Sequence, residues 1–208
     1  MKRILLAFVL ALGLTAGTSV AQNANHATTA DTDQTSPSYD LKGQALLDLE
    51  TVQKKMVDLA NAVPENKMTW RPSDDTRSFA EVFLHVAAER YGILKLMGAA
   101  VPKDFNGKAL EKSTTDKNQI VQELNKSWEF TQQTIKSMSN ADFAKLLPKL
   151  GPQANEGDVV YILVADAHEH LGQLVAYSRE NSITPPWTVA AKKQAAEKAA
   201  EKKGGGFM

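Results

Sequence analysis

Three residues carry the chemistry that this 208-residue sequence offers: His85, Asp166 and His170. Asp166 and His170 are four apart in a helical pattern. Each residue of a helix advances about 100°, so the two project about 40° from each other on one face. That face reads as the buried one, continued by Ile162 or Leu163 below and by Gln173 or Leu174 above. An unpaired carboxylate there would cost several kcal/mol. Asp166 must therefore be paired, hydrogen-bonded or bound to a metal. His85 belongs to another helical pattern, at the edge of an apolar face between Val82 and Val86. One imidazole from one helix and an i, i+4 pair from another give three ligands converging from two sides. Such a set leaves coordination positions open for water or substrate. The competing reading has no metal: Asp166 pairs with His170 along its own helix, or with His85 or Arg90 across the bundle.

The remaining polar residues follow from the same geometry. His168 is two residues from Asp166, about 200° around the helix, and should face solvent with Glu169. Glu89, one turn after His85, is either a fourth oxygen ligand or a surface carboxylate. Gln173, one turn after His170, is placed to orient a ligand or a bound water. Tyr91 and Tyr177 are candidate positioning groups. His26 falls in a polar lead-in and is set aside. The chain has no cysteine, so a metal must be held by histidine, carboxylate and water, and thiolate catalysis by this chain is excluded.

Four helical patterns must position these residues. Ala45, Leu49, Val52, Met56, Leu59 and Val63 repeat at alternating spacings of four and three, and so do Val121, Leu124, Trp128, Thr131, Ile135 and Met138. That alternation keeps one stripe against a partner helix, as in bundles with shallow crossing angles. Pro64 ends the first pattern. Between these two, a helix opens at Ser78, which with Glu81 three residues later forms a capping box. The fourth pattern runs from about Glu156 to Asn181, with Val159, Ile162, Leu163, Leu174 and Tyr177 on its apolar side, and Pro185-Pro186 closes it. The connection from Gly98 to Ser113 is long and should cross the bundle. No strand pattern is present. The expected fold is an all-α four-helix bundle over residues 38–187.

Both ends differ from this domain. Lys2 and Arg3 precede an apolar run from Leu5 to Leu14, and Ser19-Val20-Ala21 supplies small residues at −3 and −1. Residues 1–21 are thus read as a signal peptide cleaved after Ala21. The run is shorter than the roughly 20 apolar residues of a membrane span, so no stable anchor is expected after cleavage. The product should be secreted or periplasmic. Residues 22–37 are polar and read as a disordered lead-in. Residues 188–208 form a charged Ala/Lys/Glu stretch ending in three glycines, a solvated tail or frayed helix. The chain has 24 basic and 24 acidic residues, and cleavage would remove Lys2 and Arg3. A surface this near neutrality gives no reason to expect nucleic-acid binding. A homodimer is compatible with the pattern, but nothing in it requires one.

The same residues resemble a known family. Trp70-Arg71-Pro72, then Arg77-Ser78-Phe79-Ala80-Glu81, then His85-Val86-Ala87 look like the second-helix signature of the DinB-like (DNA-damage-inducible) superfamily. Asp166 to Tyr177, with its His170-Leu171-Gly172-Gln173 run, is similar to that family's fourth-helix motif, and Pro185-Pro186-Trp187 resembles its usual exit. The resemblance spans roughly residues 40–187. It implies an up-down-down-up bundle and a divalent metal, commonly nickel or zinc, held by one histidine of the second helix and two residues of the fourth. On this chain those positions are His85, Asp166 and His170. Asp166 departs from the pattern, since many members carry histidine there. A carboxylate suits a harder ion, so manganese joins zinc and nickel. The resemblance further implies either a metal-dependent transferase or hydrolase acting on a small molecule, or a non-enzymatic, stress-associated protein that binds a metal or small ligand.

Overall fold

A computed structural model describes the backbone of residues 40–204 and the side chains of 40–201. Residues 1–39, with the expected signal peptide and the polar lead-in that holds His26, and residues 205–208 lie outside the described residues. Within them four helices form the bundle: α1 (Leu41–Ala62), α2 (Phe79–Leu96), α4 (Lys117–Ser137) and α6 (Glu156–Glu180). Two short helices, α3 (Gly107–Glu111) and α5 (Asn140–Phe143), sit in the connections, and α7 (Pro186–Gly204) follows the bundle. Among the described residues there is no strand, only an isolated bridge between Leu146 and Asn155. None of these helices is long and apolar enough to cross a membrane.

Each bundle helix starts on a side chain that takes an orphan amide. Asp40 accepts from Gly43 N, Ser78 from Glu81 N, Asp116 from Gln119 N and Asn155 from Asp158 N. The Ser78 box is closed by Glu81, whose Oε2 accepts from Ser78 N at 2.8 Å and lies 3.0 Å from Arg71 Nη2. Ser78→Ala will cost about 1 kcal/mol by urea denaturation. Burial pushes the Glu81 carboxyl up, but the Ser78 hydrogen bonds and Arg71 outweigh it and hold it below the usual range. Its contribution is therefore present above the ordinary carboxylate pKa and lost as pH falls through the lowered folded value. The gap in urea midpoint between wild type and Glu81→Gln will be open at pH 7 and will narrow in acid through that window. An unchanged gap would contradict this.

Named contacts fix the topology. Lys42 Nζ donates to Met138 O at one end of the α1–α4 seam, and Lys117 Nζ donates to Asn61 O at the other, so these helices are antiparallel. Ala80 N donates to Met68 O, just after α1. The start of α2, the start of α4 and the end of α1 therefore share one end of the bundle. The hydroxyl of Tyr177, near the end of α6, donates to Arg77 O at that same end. The order is up-down-down-up. Because α2 and α4 run the same way, residues 97–116 must return along the bundle, and α3 lies on that path, packed on α2. Around the bundle, α1 touches α4 and α6, and α2 touches α4 and α6. The α2–α6 seam thus lies opposite the α1–α4 seam. Fully buried Phe79, Phe83, Leu49, Met56, Leu59, Leu124 and Ile135 fill the centre.

On the apolar side of the fourth helix the structure corrects one residue. Ile162 was assigned to the apolar side of the fourth helix but is 46 % exposed, while Leu163 carries the core contact. The C-terminal stretch, expected to be a solvated tail or frayed helix, takes the helical alternative from Pro186 to Gly204. Proline suits a first helical position because its missing amide would be an orphan there. Trp187 packs against the core under Lys55 Nζ, 5.7 Å from the ring centroid, whereas residues 189–201 are exposed.

A candidate metal centre between α2 and α6

The antiparallel α2–α6 seam brings His85 beside His170. Their rings meet edge to face with centroids 4.6 Å apart. Asp166 joins them one turn earlier on α6. One ligand atom from each of His85, Asp166 and His170 lies within 4.8 Å of the other two. The two imidazoles are buried, at 8 % and 9 % exposure, but the Asp166 side chain is 19 % exposed. The buried stripe expected for Asp166 is therefore its edge. Each i, i+4 step rotates by about 40°, so the row Ile162, Asp166, His170 turns from solvent into the core.

Hydrogen bonds set the tautomers. The Arg77 carbonyl can only accept, so the Tyr177 hydroxyl must donate to it, at 3.1 Å. Tyr177 in turn accepts from Gln173 Nε2 at 2.9 Å. Gln173 Oε1 then faces His170 Nδ1 at 3.0 Å, and that nitrogen must carry the hydrogen. His170 Nε2 lies 3.4 Å from Asp166 Oδ1. In the neutral ring that nitrogen bears a lone pair facing a carboxylate. Two such atoms need a cation between them, either a proton or a metal. Burial pushes the His170 pKa down, but Asp166 and Gln173 outweigh it and the net shift is upward. In His85, Nδ1 lies 2.6 Å from Glu111 Oε1. A hydrogen on Nδ1 donated to that carboxylate leaves the Nε2 lone pair free. Both histidines thus hold Nδ1 by a partner outside the cluster, the usual arrangement around metal-binding imidazoles.

The donor set fits a small cation. Metal bonds of about 2.0–2.2 Å put neighbouring ligand atoms about 3–3.5 Å apart. The Asp166–His170 pair already has that separation. Two imidazoles and one carboxylate make a facial set with open positions.

Not every candidate belongs to this cluster. Gln173 and Tyr177 do, as links of one chain of hydrogen bonds. Glu89 Oε1 lies 3.8 Å from His85 Nδ1, the nitrogen that Glu111 already holds, so it is not placed as a fourth ligand. Tyr91 turns away: six residues from His85 is about 240° around the helix. Its ring packs on Phe105 and Phe130 with centroids 5.3 and 5.0 Å apart. His168 is exposed, as its helical position requires, and pairs with Asp48 of α1 through a 2.7 Å contact. Arg90 does not pair with Asp166. Its Nη1 donates instead to Leu124 O and Ser127 Oγ of α4.

Two residues were missed. Glu111, from α3, binds His85 with one oxygen and Arg77 Nε with the other at 3.0 Å. Burial pushes its carboxyl up, but Arg77 and His85 outweigh this and lower it. Arg77 was noted only as part of the second-helix motif. No local pattern marks Glu111, because its contact depends on the path of the long connection. Beside the centre lies a polar cavity of about 570 Å³, bounded by Arg71, Arg77, Glu111, Lys112 and Gln173.

No curated protein matches the chain. A sequence model of the DinB superfamily matches residues 48–174, a span that includes the three candidate ligands with Glu111 and Gln173. That match covers more than half of the 208 residues, and the chain belongs to the DinB superfamily.

Proposed function

We propose that this protein binds one divalent cation through Nε2 of His85, Nε2 of His170 and the carboxylate of Asp166, and presents it to a small molecule. The observation that carries the reading is the 3.4 Å approach of His170 Nε2 to Asp166 Oδ1, with Nδ1 of the same ring already committed to Gln173. Two histidines and one carboxylate form a mixed, moderately hard donor set, suited to zinc, nickel or manganese. A bound ion would supply Lewis acidity and lower the pKa of a coordinated nucleophile. The residues around it hold rather than react. Gln173 fixes His170, and Tyr177 fixes Gln173. Glu89, with a side chain 37 % exposed, lies 3.8 Å from His85 Nδ1, on the side of the ring away from Nε2.

The catalytic form of the reading is a metal-dependent transferase or hydrolase. The commitment of Gln173, Tyr177 and Glu111 to hydrogen bonds favours a second form, in which metal and ligand are held without turnover. Metal analysis of untagged protein distinguishes the site from its absence. Wild type dialysed against zinc, nickel or manganese will retain about one equivalent of at least one ion, and Asp166→Ala will lose most of it, since three protein ligands are the usual minimum for such sites. Wild-type protein that retains none of the three would overturn the reading. The proposal includes export, supported by Lys2, Arg3, the Leu5–Leu14 run and Ser19-Val20-Ala21. N-terminal sequencing of the mature protein should begin at Gln22.

A further inference from the structure

We propose that Glu111 is a positioning residue of the metal centre, clamped by Arg77, and that the connection between α2 and α4 exists in part to deliver it. The proposal rests on the metal reading above and adds to it two residues outside the ligand set.

The geometry begins with the path of the connection. Phe105 stacks against Tyr91, Gly107 lies beside Ala88, where an added Cβ would stand 3.7 Å from the Ala88 Cβ, and Glu111 reaches His85. Residues 105, 107 and 111 therefore meet 91, 88 and 85 in turn. The segment is laid antiparallel along α2, and its last helical residue arrives at the ligand.

Glu111 divides its two oxygens. Oε1 lies 2.6 Å from His85 Nδ1 and Oε2 accepts from Arg77 Nε at 3.0 Å. Its side chain is 17 % exposed, so both contacts are partly shielded from water. An ion pair with Arg77 alone would hold α3 to the start of α2 without involving an imidazole. The second oxygen does something else: it fixes the ring angle of His85, keeps the hydrogen on Nδ1 and makes Nε2 a better donor. The Arg71–Glu81 pair offers an internal comparison. It lies near the same end of α2, at 3.0 Å, and does not touch His85.

The test compares Glu111→Gln, Glu111→Ala and Arg71→Gln with wild type. Zinc, nickel and manganese affinities are measured by competition with a chromogenic chelator. Loss of an outer carboxylate partner typically weakens metal binding about 10–100-fold. Glu111→Ala should fall in that range, Glu111→Gln should fall less, and Arg71→Gln should lower the melting temperature while leaving affinity within about twofold of wild type. Metal-free protein gives a second readout by nitrogen-edited NMR. A slowly exchanging Nδ1 proton on His85 should be present in wild type and Arg71→Gln, and absent from Glu111→Ala. Unchanged affinity in both Glu111 variants overturns the proposal and leaves the metal reading standing. Equal weakening by Arg71→Gln overturns it too, because general loosening would then suffice. Wild type that takes up no ion fails the metal reading itself.

Discussion

Removing the cation from the wild-type protein will lower its melting temperature by about 5–16 °C. A ligand present at about 100 to 1,000 times its dissociation constant stabilises the native state by about 2.7 to 4.1 kcal/mol. For a domain of this size, each kcal/mol moves the midpoint by about 2–4 °C. Calorimetry before and after chelation measures the shift. Re-adding the ion should restore it. His85→Ala and His170→Ala should melt at the same temperature with and without chelator, because each leaves two protein ligands. A wild-type midpoint indifferent to chelator and to added zinc, nickel and manganese would mean that a proton, not a metal, sits between His170 and Asp166.

The second large effect concerns Arg90, whose side chain is 1 % exposed in the centre of the bundle. Burial pulls its pKa down to about 10, with Asp166 and Tyr91 opposing the shift. The guanidinium is thus held charged where charge is unfavourable. No carboxylate pairs with it among the described residues, and its Nη2 has no hydrogen-bond partner. Its two acceptors do not depend on it. Leu124 O also accepts from Ser127 Oγ at 3.0 Å, and Ser127 is satisfied by that bond. Arg90→Met, which keeps the volume and removes the charge, will therefore leave the protein as stable as wild type or more stable by about 1–4 kcal/mol. Arg90→Ala, which leaves a cavity beneath Trp128, will destabilise it by about 2–5 kcal/mol. Urea denaturation of the pair decides the matter. A methionine variant as damaged as the alanine variant would show that the charge itself holds α2 to α4.

How much of this was legible in the sequence depends on the range of each contact. The 3.6-residue period places Asp166 and His170 together and sends His168 outward, because those relations lie within one helix. The Ser78–Glu81 box and the long crossing connection follow from equally local signals. Helical spacing pointed to His85 as a partner of Asp166 and His170, and the family resemblance gave the same three positions; the pairing of α2 with α6 that joins them is a long-range contact that periodicity does not encode. Tyr91 was misplaced for lack of the same angular argument that placed His168. Asp166 was expected to be buried because Ile162 or Leu163 below and Gln173 or Leu174 above continue its stripe, yet the drift of a straight helix turns the row of Ile162 and Asp166 outward. Glu111 was out of reach: 26 residues separate it from His85, and its position is set by how Phe105 and Gly107 dock on α2.

The chain of hydrogen bonds from His170 through Gln173 and Tyr177 ends on the Arg77 carbonyl. A backbone carbonyl accepts a hydrogen bond but has no proton to pass on, and an amide side chain is a poor carrier. The line is consequently an insulator. It locks an imidazole without giving it a path to solvent. A proton that enters or leaves this centre has to take another route, past the carboxylates of Asp166, Glu111 or Glu89 that stand beside the two imidazoles.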